Sequence, residues 1–131
     1  MFKIYTDGGS RGNPGPSGAG GVIISPNGNV IVEISEFLGI QTNNFAEYQA
    51  LRLTLERAIE IKVKKVEVFT DSKLVVEQMN GRWKIKNESL KVINKIIKEL
   101  IGSFEIITFT HIYRSFNTHA DYLANKAMDK N

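Results

Sequence analysis

The chain contains no cysteine, which excludes disulfides, thiolate nucleophiles and cysteine-ligated zinc. Histidine is almost as scarce, His111 and His119 being the only two. Any metal chemistry must therefore rest on oxygen ligands with at most two imidazoles. No apolar run approaches the roughly 18 residues of a membrane-spanning helix. The opening stretch from Met1 to Asp7 also lacks the apolar segment and small-residue cleavage site of a secretory signal. A cytoplasmic protein without membrane contact is expected. Repeats, linkers and low-complexity tracts are missing too. Residues 1–131 are thus expected to form one domain, with a single core burying about two-thirds of the unfolded chain's surface.

Charge is nearly balanced, with 17 Lys and Arg against 14 Asp and Glu, a net charge of +3 and a pI near 9.2. That balance alone favours a polyanionic partner only mildly. If four of the acids gather in one site, 10 acids remain against 17 bases, and the rest of the surface suits a phosphate backbone.

Phe2 to Thr6 reads as a strand, ended by the turn-rich Asp7-Gly8-Gly9-Ser10-Arg11-Gly12-Asn13-Pro14-Gly15-Pro16. Ala19 to Ser25 and Val30 to Leu38 are β-rich, and the Asn27-Gly28 pair between them favours a hairpin. From Phe45 to Ile61 the period becomes helical, with Glu47, Leu51, Leu55 and Ala58 on one stripe and Asn44 placed to cap the first turn. Val66 to Thr70 is a short strand ending at Asp71, followed by helical Ser72 to Met79. Glu88 to Ile101 forms an amphipathic helix, with Leu90, Ile93, Ile97 and Leu100 inward and Lys91, Lys95 and Lys98 outward. Phe104 to Thr110 is a strand, and the last helix runs from about His119 to Asp129. The order predicts an α/β fold, a mixed sheet with helices on its faces. The strands ending at Thr6 and Thr70 are expected to run parallel, which brings Asp7 and Asp71 to one edge. Glu47 and Asp121 can reach that edge from helix starts.

Each acid also has an ordinary explanation. Asp7 before two glycines suits a turn, and Asp71 before Ser72 suits a helix cap. Glu47 follows Asn44, and Asp121 follows Thr118, at the three-residue spacing of a capping box. Taken together they carry more, because carboxylates gathered at one edge repel one another unless a cation offsets them. All-oxygen ligation favours magnesium or manganese. Two such ions about 3.5–4 Å apart support in-line displacement at phosphorus.

Four segments, Tyr5 to Gly15, Thr42 to Glu47, Thr70-Asp71-Ser72 and Asn117 to Ala124, resemble in order and spacing the signature blocks of type 1 ribonuclease H. The resemblance covers nearly the whole chain. It implies a ribonuclease H-like five-stranded mixed sheet flanked by helices, and endonucleolytic cutting of the RNA strand of RNA/DNA hybrids by a monomer. It further implies that Asp7, Glu47, Asp71 and Asp121 are the catalytic, metal-binding carboxylates for Mg2+ (or Mn2+), with two ions when substrate is bound. On the same resemblance Glu47 contacts the RNA 2′-hydroxyl, and Asn13, Asn43 and Asn44 contact substrate.

Two departures stand out. Many bacterial members carry a histidine in the loop before the last acid, whereas this loop reads Arg114-Ser115-Phe116-Asn117. Arg114 is the candidate phosphate contact in its place, and His111 and His119 take structural or solvated roles. The short Gly81 to Asn87 segment has no room for the basic protrusion of some relatives. Trp83 there is a candidate for stacking or simple packing, and the Lys91, Lys95, Lys98 stripe reads as a solvated face. Two other readings stand beside the leading one: a binding module of the same fold without catalysis, and a nuclease that also cuts double-stranded RNA.

Overall fold

The computed structural model describes residues 1–130. Five strands, β1 (Phe2–Ser10), β2 (Gly15–Ile24), β3 (Val30–Gln41), β4 (Lys65–Thr70) and β5 (Ile106–His111), form one sheet. Their spatial order is β3-β2-β1-β4-β5. The helices are α1 (Asn43–Glu60), α2 (Lys73–Met79), α3 (Glu88–Ile101) and α4 (Thr118–Asp129), with a 3-10 turn at Arg114–Phe116. β1, β2 and β3 pair antiparallel, while β1–β4 and β4–β5 are parallel. The mixed sheet and hairpin expected from the sequence are therefore present.

One expectation fails in an informative way. β1 does not stop at Thr6 but continues through Asp7, Gly8 and Gly9 to Ser10, paired with Ser17 to Gly20 of β2. Gly8 here serves packing rather than a turn. A Cβ on Gly8 would fall on the Ala46 carbonyl of α1, and one on Gly9 would touch Met128 of α4. The turn comes later, at residues 11–14, where Gly12 has φ +104° and the Arg11 N–H donates to the Pro16 carbonyl at 2.8 Å.

Helices cover both faces, and neighbouring glycines of β2 show how closely. A Cβ on Gly20 would strike the Ala120 carbonyl of α4, and one on Gly21 would strike the Thr54 side chain of α1. Because successive strand residues face opposite sides, α1 and α4 sandwich the sheet. The main core lies on the α1 face, where Ile4, Ile23, Leu51, Leu55, Val66 and Val68 are fully buried. α3 adds Leu90, Ile93 and Ile97 to it, and Lys91, Lys95 and Lys98 face solvent as expected. Leu100 is only partly buried, because it lies in the last turn of α3.

Helix starts differ from the sequence reading in ways that free the acids. α1 begins two residues early, capped by Thr42, whose Oγ1 accepts the Phe45 N–H at 3.2 Å. Asn44 is therefore not the cap. Ser72 caps α2, accepting the Val75 N–H at 3.3 Å, so Asp71 is not needed there. Asn117 occupies the cap position of α4, whose first residue is Thr118. β5 starts two residues late because Phe104 is buried in the turn after α3.

The closeness of α4 to β2 gives a direct test. Gly20→Ala should lower unfolding free energy in urea by about 1–3 kcal/mol, the usual cost of overpacking. An unchanged denaturation midpoint would contradict this contact.

Candidate active site

The last parallel pair between β1 and β4 is Thr6 with Thr70. Asp7, still within β1, and Asp71, just past the end of β4, come next, so parallel register sets them side by side. Glu47 arrives from the second turn of α1, which lies against β1. Its Oε1 accepts the Gly8 N–H at 2.7 Å, a bond open to it because Gly8 has no side chain to hold α1 away. One oxygen each from Asp7, Glu47 and Asp71 lies within 4.8 Å of the others. Asp121, from the first turn of α4, is outside that triad. Its carboxylate is close enough to Asp7 to raise the pKa of that group and sits 3.6 Å from the Arg114 guanidinium.

Together the four acids line a cleft of about 430 Å³ whose rim includes Arg11, Asn43, His111, Tyr113, Arg114 and Asn125. Asp7 and Glu47 are each only 8% exposed, and burial without full pairing penalises the charged form. Burial, then Asp71 and Asp121, push the Asp7 carboxyl up to about 8, against the lowering effect of Arg114. Burial, then Asp7 and Asp71, likewise hold Glu47 well above the usual carboxylate range, with the Gly8 N–H opposing. Such a cluster fits a hard divalent cation. The donors are all carboxylate oxygens, they converge, and a nearby positive charge would offset the repulsion that the protein itself leaves uncompensated.

The other expected site residues divide. Asn43 and Arg114 line the cleft. Asn13 is exposed in the turn after β1 and accepts the Asn43 N–H through Oδ1 at 3.0 Å, so it braces the start of α1. Asn44 is exposed and does not line the cleft. His111 lies on the cleft wall, edge-on to Tyr113 with ring centroids 6.4 Å apart. His119 is turned instead to Glu33 on β3, 2.5 Å from its carboxylate. Trp83 is 44% exposed beside the Lys73 ammonium.

Sequence reasoning missed a tie that holds the site together. Asn117 is buried, its Nδ2 donates to the Thr6 carbonyl at 2.8 Å, and its own carbonyl accepts the Asp121 N–H at 3.1 Å. One residue thus fixes the approach of Asp121 to Asp7. The only signal available was its place four residues ahead of Asp121.

A family model described as reverse transcriptase-like matches residues 5–127. The chain is similar to bifunctional protein Rv2228c of Mycobacterium tuberculosis, at 44% identity over 127 residues, covering 96% of this chain and 35% of that protein. It therefore spans about a third of that relative's length. Among solved structures, RNase H1 from the halophilic archaeon Halobacterium salinarum superimposes with a TM-score of 0.96 at 38% identity, covering 99% of this chain and 98% of that one. LC11-RNase H1 in complex with an RNA/DNA hybrid superimposes with a TM-score of 0.94 at 42% identity, covering 99% and 98%.

The buried acids make stability depend on pH in a defined direction. Asp7 titrates near 8 when folded against an ordinary value of 3.8, so between those values the folded state holds a proton that the unfolded chain has released. The stabilisation is complete below the lower value and is lost as pH rises through the higher one. In chelator, the melting temperature should fall from pH 5 to pH 8, and Asp7→Asn should flatten that fall. A melting temperature that rises over this range would contradict the arrangement.

Proposed function

The chain belongs to the type 1 ribonuclease H family, and from that premise we propose that it hydrolyses phosphodiester bonds within the RNA strand of RNA/DNA hybrids. The observation that carries this reading is the convergence of Asp7, Glu47 and Asp71, with oxygens within 4.8 Å of one another, in an open cleft. Residues 1–131 act as one catalytic domain, in the cytoplasm and as a monomer. Among the described residues no helix is long and apolar enough to cross a membrane.

Asp7, Glu47, Asp71 and Asp121 are the residues that would hold the metal, magnesium or manganese, with two ions when substrate is present. Bound there, the cations supply positive charge and Lewis acidity for in-line displacement at phosphorus. The protein's own part is positioning. Asp7 and Asp71, side by side where the β1–β4 pairing ends, would contribute ligand oxygens from two rigid backbones. The Gly8 N–H holds one oxygen of Glu47, whose side chain lines the cleft, and the 2′-hydroxyl of RNA is the group that distinguishes it from DNA there. The proton that Asp7 holds at neutral pH would leave as a cation bound, so its full carboxylate charge would develop only with its compensation. Asn43 offers its side chain to sugar and base edges, with Asn13 bracing it, and Asn44 lies next to it at the outer edge. Arg114 is 80% exposed on its side chain and only loosely paired with Asp121, which leaves its guanidinium free to turn to a phosphate.

A binding module without catalysis has no use for four acids that repel phosphate and resist burial. Cleavage of double-stranded RNA remains an outcome of the test, since A-like duplexes share much of their shape.

An end-labelled RNA strand, free, paired with DNA and paired with RNA, decides between these readings when incubated with magnesium, manganese or chelator. Internal cuts in the RNA/DNA hybrid that vanish in chelator are expected. Asp71→Asn should lower the rate by at least about 100-fold while the melting curve shows a folded protein. Intact hybrid with wild-type protein that still binds it would favour the binding module.

A further inference from the structure

α4 presents Asp121, Asn125 and Asp129 at four-residue intervals, which places them on one face of the helix. Two arginines from different loops meet that face. Arg114 reaches Asp121 at 3.6 Å. Arg11, from the turn between β1 and β2, lies 2.5 Å from the Asp129 carboxylate and 3.5 Å from Asn125 Oδ1. Among the described residues these are the only two Lys or Arg side chains lining the acidic cleft. The partner of Arg114 belongs to the acid cluster, but Asp129 does not line the cleft and no part of the proposed chemistry uses it.

We propose that Arg11 binds a backbone phosphate of the substrate, and that Asp129 holds its guanidinium as a displaceable stand-in for that phosphate until nucleic acid arrives. The inference rests on the ribonuclease H reading and adds a contact to it. A floor of four carboxylates repels the strand it must cut, so phosphates flanking the reacting one need cations on the rim. Arg11 is placed for this. Its main chain is tied down by the bond to Pro16, while its side chain is 47% exposed and Asp129 64% exposed. Exposed ion pairs contribute little to stability, so exchanging carboxylate for phosphate gives up little, and counterion release from the nucleic acid favours the exchange. The planar guanidinium meets either anion through the same pair of N–H groups.

Spacing bounds how far the phosphate at Arg11 lies from the reacting one. Asp121 lies four residues from Asn125 and eight from Asp129, roughly 6–12 Å along the helix axis. Phosphates one or two nucleotides apart on a single strand span such a separation. A phosphate of the scissile strand near the one to be cut fits that separation.

The test is anisotropy of a fluorescent RNA/DNA hybrid in magnesium, titrated at several salt concentrations with protein carrying Asp71→Asn so that the hybrid stays whole. Adding Arg11→Ala should weaken binding about 3- to 10-fold at low salt and reduce the salt slope by about one phosphate equivalent. Arg11→Lys should keep the slope. Asp129→Asn should tighten binding, because the arginine no longer has a competing anion. If Arg11→Ala binds with the parent's affinity and slope, or if Asp129→Asn weakens binding as Arg11→Ala does, the pair is a brace for the end of α4 and the proposal falls. Parent protein that binds no hybrid would instead overturn the functional reading, and the inference with it.

Discussion

Two buried carboxyl groups and a third, half-buried one sit within reach of one another, and the rest of the structure is arranged around tolerating that repulsion. Among the described residues neither Asp7 nor Glu47 has an ion-pair partner; Arg114 is paired with Asp121 and lowers the Asp7 pKa only from a distance. What the fold supplies is a backbone N–H to Glu47, from Gly8, and a proton that Asp7 holds at neutral pH. The cluster is held together by strand register and helix packing, not by its own attractions. Such a site is prepared for an external positive charge.

The scaffold explains why the acids cannot move apart. Parallel pairing of β1 with β4 fixes Asp7 beside Asp71, and β1's further antiparallel run with β2 keeps Asp7 inside a strand rather than in a loop. Glycines on β1 and β2 let α1 and α4 lie against the sheet from both sides. Glu47 and Asp121 are carried in on those helices. Asn117 then joins Thr6 and Asp121 across 111 residues of chain, so the first strand and the last helix share one anchor. The cationic groups, by contrast, sit on loops and remain exposed, as suits groups that exchange partners.

Much of this was legible in the sequence. Helical periodicity found α1 and α3 to within two residues, Asn27-Gly28 marked the hairpin, and acids at element junctions gave the four residues of the cleft. The errors have physical causes. Gly8 and Gly9 read as breakers because glycine permits turns, yet both lie within β1, and the missing side chain of Gly8 serves close packing, a tertiary fact no local pattern records. Asn44 and Thr42 are both good caps, and the choice was made by where Ala46 and Glu47 must meet β1. The roles of Asn117, Asn13 and Arg11 depend on partners far away in the chain. Spacing could place these residues near the site but could not say what they hold.

The measurement that bears most directly on the central claim is calorimetric titration of the metal-free protein with magnesium or manganese near pH 7, repeated in buffers of different ionisation enthalpy. An Asp7 carboxyl that keeps its proton until a cation arrives predicts saturable binding with net proton release, reduced when Asp7 is replaced by asparagine. Cation binding with no proton release, or release unaffected by Asp7→Asn, would contradict the account.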